Sequence, residues 1–302
     1  MWRPSERIRH EAKPGRVPDA AEAARARLFS ALRVGRLSLA QRTWVPAMVP
    51  WRATEDGFVS ENVLAWYERF ARGEPGAIVV EATGVRDVPS GPLLRIGHDR
   101  YIEGLSRLAE TVKRASGGRT RLFIQLIDFL AIRRRPEPAK YFERFLTLAD
   151  AHRRAVGEAG LSDVETRARL LALGPSGWKA VLSAREYESL QHGYRERVTD
   201  VELPHIRDLP KALPDLFAAA ARRAERAGFD GVELHYAHAY TMASLLSRAN
   251  TRDDGYGGAL QNRLRAPLEV FAATRGAVGD GFVVGARFLA EECIEGGNDL
   301  SE

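Results

Sequence analysis

Apolar positions change their period roughly every 15–30 residues along this chain, passing between continuous β-rich runs and helical stripes. GAIVVEATG (76–84), RLFIQLIDF (121–129), GFDGVELHY (228–236) and GFVVGARFL (281–289) are short apolar runs bounded by glycine or charge, which read as buried strands of a parallel sheet. TWVPAMVP (43–50) reads as a strand ahead of them, although Pro46 and Pro50 deny it two ladder donors. Between these runs, 60–72, 101–115, 213–228 and 260–276 carry helical patterns. In the first, Val63, Leu64, Tyr67 and Phe70 share a face behind a Ser60 cap. Strands alternating with helices predict βα units. LRVGRLSLAQR (32–42), with a glycine between two short alternating stretches, predicts a hairpin ahead of the main fold.

Two regions break the rhythm. Residues 133–208 are arginine-rich and helical in period with no run able to join a sheet, so they predict a helical insertion after the third strand, a lid or an interaction segment. Residues 1–27 lack an apolar core and read as a flexible basic extension, leaving 28–302 as the folded domain. The final DLSE (299–302) reads as a cap and first turn.

In parallel α/β folds ligands sit outside the carboxyl ends of the strands, so polar residues there are informative. Met48 follows strand one, Glu81 and Thr83 end strand two, Gln125 and Asp128 end strand three, and Arg287 ends strand five. The densest cluster is ELHYAHAY (233–240). Alternation sends Val232 and Leu234 to one face and Glu233 and His235 to the other, with His238 and Tyr240 close behind. Two imidazole N–H groups can hold a carbonyl oxygen and a phenol can supply a proton. Zinc on Glu233, His235 and His238 is the alternative, but no H-E-x-x-H pattern exists. The glycines of DDGYGG (253–258) fit neither a phosphate-loop nor a dinucleotide fingerprint. Cys293 has no nearby histidine in sequence and reads as a small buried residue.

GFDGVELHYAHAYTMASLLSRANTRDDGYGGALQNRLR (228–265) resembles the Old Yellow Enzyme family of FMN-dependent NADH:flavin oxidoreductases and ene-reductases. LFSALRVGRLSLAQR, VVEATG, FIQL and VGARF resemble the same family in the same order. The resemblance implies a TIM (β/α)8-type barrel with FMN as cofactor, NADH or NADPH as reductant and an unsaturated carbonyl compound as substrate. Residue by residue, it implies His235 and His238 on the substrate carbonyl and Tyr240 as proton donor. It places Gln125 and Arg287 on the flavin pyrimidine and Met48 and Ala82 along the isoalloxazine; Arg263 reads as a structural ion-pair former. The chain departs from the family at Ala47, Val49, Asp128 and Ala131. About five barrel strands can be counted where eight are needed. The expectation is therefore a C-terminally incomplete barrel that needs a complementary chain or further strands. A non-catalytic partial-barrel subunit is the alternative.

Composition narrows this only a little. A net charge of +5 from 45 basic and 40 acidic residues selects no nucleic-acid partner, and nearly all the basicity is arginine. A single cysteine excludes disulfide frameworks and iron–sulfur ligation within the chain. No apolar run reaches membrane-spanning length. The expectation is a cytoplasmic oligomer without a metal. Flavin-dependent reduction of tRNA uridines is disfavoured, because its acid would have to be Cys293, past strand five.

Overall fold

The computed structural model describes residues 15–302 apart from 90 and 158–159. Its frame is a five-stranded parallel sheet in the order β3 (Trp44–Val45), β4 (Ala77–Gly84), β5 (Arg121–Ile127), β6 (Gly231–Tyr236) and β7 (Val283–Phe288). An antiparallel hairpin of β1 (Leu32–Val34) and β2 (Leu37–Leu39) precedes it, turning at Gly35 with φ 57°. Strand order follows chain order, as in a singly wound succession of βα units. The first strand is shorter than the eight-residue run suggested: only Trp44 and Val45 pair with β4, because Pro46 and Pro50 cannot donate to a ladder.

Alternation along the strands separates two layers. Ile78, Val80, Ile124, Leu126, Val232 and Leu234 pack outward beneath the helices α2 (Glu61–Ala71), α3 (Ile102–Ala115), Leu209–Arg226 and Arg265–Ala277. Ser60 caps α2 by accepting from the Val63 N–H. Leu39, Ala77, Val79 and Phe123 form the inner floor, with Leu32 and Leu37 of the hairpin against it. Gly231 is required at that floor, since a Cβ there would lie 2.4 Å from the Val283 carbonyl oxygen.

The register of β4 against β5 shifts between Val80 and Thr83. This bulge turns Ala82 toward Ile127, Leu93 and Phe129, while Glu81 meets Tyr67 of α2. Glu81 is thus a buried carboxyl in the helix layer, not a group presented at the strand end.

Residues 138–207 carry a run of short helices with a small core of their own, built on Tyr141, Phe142, Leu170, Trp178 and Leu190. An antiparallel bridge between Ile132 and Arg195 closes the base of this segment. Arg252, whose side chain is fully buried, fastens its end by donating to the carbonyls of Val198 (2.7 Å), Ile206 (3.1 Å) and Arg207 (2.7 Å), with Asp254 as counter-ion. At the other end of the chain, the stretch read as a flexible extension is helical over α1 (Ala20–Arg25), set by a capping box between Asp19 and Glu22, although none of its residues is buried. The remainder of that extension, 1–14, lies outside the described residues.

Candidate active site

The inner face above the apolar floor is polar and rises in rows. Gln125 and Glu233 are register partners on β5 and β6, and Gln125 Nε2 donates to Glu233 Oε1 at 2.5 Å. A carboxylate only accepts, so Glu233 fixes which end of the Gln125 amide points at it and leaves the amide oxygen facing elsewhere. Gly285, opposite Glu233 on β7, has no atom closer than 4.0 Å to its missing Cβ, so the surface beside this pair is open. One row higher, His235 is paired with Arg287 in the β6–β7 register. Arg287 is exposed, and Phe288 beside it is 70% exposed.

The chain leaves β6 through two successive non-glycine residues in the left-handed region, His238 at φ 57° and Ala239 at φ 56°. This turn folds His238 back over His235, with His235 Nε2 and His238 Nδ1 3.1 Å apart. The Ala237 N–H donates to Nδ1 of His235 (3.4 Å), which makes Nδ1 the unprotonated nitrogen and Nε2–H the donor to His238. His238 then keeps its own Nε2–H free for a ligand. The two imidazoles therefore meet, but in the free protein one N–H is spent on the other ring. Burial, reinforced by the neighbouring His238 and Arg287 side chains, pulls His235 down to about 4 and keeps it neutral at neutral pH.

Tyr240 follows at once. Its ring stands edge-on to Phe129 (5.2 Å) and to His235 (5.4 Å), and it is 37% exposed. Ser244 holds the turn by donating its hydroxyl to the Ala239 carbonyl and its N–H to the Tyr240 carbonyl. Two adjacent left-handed residues without glycine store strain, at about 1 kcal/mol or more each. Ala239→Gly is expected to raise thermal stability by about 1 kcal/mol, a shift of roughly 2–4 °C in Tm by calorimetry. An unchanged or lowered Tm would show that the turn is not strained at this position.

Asp128 is fully buried at the end of β5 and occupied by Arg86, through Nε (2.5 Å) and Nη2 (2.9 Å), while Arg86 Nη2 also donates to the Phe129 carbonyl. It is thereby tied to the chain after β4 and is not offered to a ligand. Ala82 lies on the inner side at the bulge, and Met48, on the segment after β3, is 44% exposed. Arg263 donates to the carbonyls of Leu246 and Gly258 and pairs with Glu302. Cys293, expected to be buried, is exposed in the loop after β7, where the chain has left the sheet. Among the described residues no group of three or more His, Cys, Asp or Glu is arranged to hold a metal ion, and no helix is long and apolar enough to cross a membrane. Sequence reading missed the Gln125–Glu233 pair, which strict alternation could have found. It also missed Arg86–Asp128, whose partners are separated by 42 residues.

The NADH:flavin oxidoreductase / NADH oxidase family matches residues 198–302. An NADH oxidase of Thermoanaerobacter brockii is 30% identical over 280 residues, covering 91% of this chain and 36% of the relative. An NADPH dehydrogenase of Clostridium acetobutylicum is 28% identical over 254 residues, covering 82% of this chain and 60% of the relative. The Old Yellow Enzyme of Pichia sp. AKU4542 superposes with a TM-score of 0.57 at 23% identity, over 88% of this chain and 60% of that one. The chain thus spans between one third and two thirds of the length of these proteins. Related along most of its length to these NADH and NADPH oxidoreductases and alike in fold, the chain is similar to the Old Yellow Enzyme family of NADH:flavin oxidoreductases.

Proposed function

We propose that this chain is an FMN-dependent oxidoreductase that draws on NADH or NADPH and reduces the activated C=C bond of an unsaturated carbonyl compound. The observation that carries the reading is one of stacking: His235, His238 and Tyr240 converge above the inner row that holds Gln125 and Glu233, with Arg287 beside His235 as its register partner. Those rows fit a flavin. Gln125, its amide turned by Glu233, offers an acceptor suited to an imide N–H, Arg287 offers a cation for the electron-rich pyrimidine, and Gly285 leaves the surface beside them clear. When bound, FMN supplies the hydride transfer from nicotinamide to substrate. The protein does the rest. His238 donates Nε2–H to the substrate carbonyl, and His235 adds a second donor when its N–H turns from His238 to the same oxygen. The negative charge that builds on that oxygen is thereby held, and Tyr240 delivers its hydroxyl proton to the adjacent carbon.

The proposal includes a pairing partner for β7, whose upper residues Arg287 and Phe288 are exposed. An apolar side chain on an unpaired strand end is a place where another strand adds.

Titration of the purified protein with FMN, followed by flavin fluorescence, is the test. Saturable one-to-one binding is expected, weakened about tenfold or more in Arg287→Ala by loss of a charge-assisted hydrogen bond. No binding by the unaltered protein would refute the reading. Equal binding by the variant would remove Arg287 from the cofactor site.

A further inference from the structure

We propose that the substrate carries an anionic group, a carboxylate or phosphate, recognised by Arg195 in a cavity beside Tyr240. The proposal rests on the reading of Tyr240 as the acid of the site. The cavity is about 420 Å³, enough for a small organic molecule. One wall is Tyr240, Thr241 and Ser244; the other is the stretch 195–199 at the end of the helical segment, with Leu130 and Ile132 as apolar floor.

Four charged residues line it, and three of them already have protein hydrogen-bond partners. Arg197 donates to both carboxylate oxygens of Glu188 (2.5 and 2.7 Å), and Glu196 accepts from the Ala131 N–H (2.8 Å) and pairs with His205 (2.8 Å). Arg195 is exposed and lines the cavity, and its guanidinium has no acceptor among the described residues. Its backbone, by contrast, is fixed. Arg195 bridges Ile132, and the Arg133 N–H to Tyr194 carbonyl (2.9 Å) and Glu196 N–H to Ala131 carbonyl (3.0 Å) bonds flank it. The cavity therefore holds, at a set place across from the phenol, one guanidinium whose donors are not taken by the protein among the described residues. A guanidinium is a planar fork that matches carboxylate and phosphate alike. Arg134 and Arg135, also exposed on the adjoining stretch, would extend the reach to a longer phosphorylated tail.

Isothermal calorimetry on the full chain, with and without FMN, reads this without turnover. Three probes are compared: cinnamaldehyde, 4-carboxycinnamaldehyde and cinnamoyl-CoA. One or both anionic probes should bind about tenfold tighter than the neutral one, the preferred probe telling carboxylate from phosphate. The advantage should vanish in Arg195→Met, persist in part in Arg195→Lys, and shrink with added salt. Equal affinity for all three probes, no binding of any, or an advantage that survives Arg195→Met would overturn the proposal. Failure of FMN binding alone would count against the flavin reading and leave the anion preference to be read in the same titrations.

Discussion

Tyr240→Phe is expected to slow reduction of an enone by the flavin-loaded protein by roughly 10²–10⁴, the usual worth of a positioned general acid. The substitution is unusually clean. The ring is held by edge contacts to Phe129 and His235, both of which phenylalanine keeps, and among the described residues no acceptor is bonded to the hydroxyl. Fold and flavin affinity should therefore be unchanged. The loss should be confined to the half-reaction that consumes the alkene, while reduction by NADH or NADPH keeps its rate. Stopped-flow spectroscopy of the two half-reactions separates them. Turnover unaffected by the change would remove Tyr240 from the chemistry. Because His235 titrates only near 4, the same measurements should show no limb from that imidazole between about pH 5.5 and 8.

Much of this site was legible before any coordinates, for a physical reason. Parallel strands bury both faces, so Glu233 and His235 within GVELHY stand out against an apolar background, and period-2 alternation puts them on the face opposite Val232 and Leu234. Whatever depended on local backbone detail was not legible. The bulge in β4 sends Glu81 to the helix layer although its position suggested a strand end. Two prolines cut β3 to two residues. Arg86 takes Asp128, and Glu188 takes Arg197, across distances in sequence that no spacing rule spans. Cys293 is exposed because the chain leaves the sheet after β7, while its type alone suggested burial. Departures from the family's residues can likewise be noticed in a sequence, but only the structure shows that Asp128 arrives with its own counter-ion.

Glu81 carries the second large effect, on stability. Its side chain is fully buried, one oxygen faces the Tyr67 hydroxyl at 3.4 Å, and the other has no partner. Burial pushes the carboxyl up to about 8, with only the Tyr67 hydrogen bond opposing. Its folded pKa thus lies above its unfolded value, so the contribution to stability is complete below the unfolded pKa near 4.5 and is lost as pH rises toward 8. Over that window the unfolded chain releases a proton that the folded one keeps, which costs about 1.4 kcal/mol per pH unit, or roughly 3 kcal/mol between pH 4.5 and 7. Glu81→Gln has nearly the same shape and does not titrate. The variant should therefore gain on the unaltered protein as pH rises, with the gap levelling off above about 8. Urea unfolding at a series of pH values reads the difference, in which every other titrating group cancels. Parallel stability curves would mean that Glu81 is ionised in the folded protein and finds its compensation elsewhere.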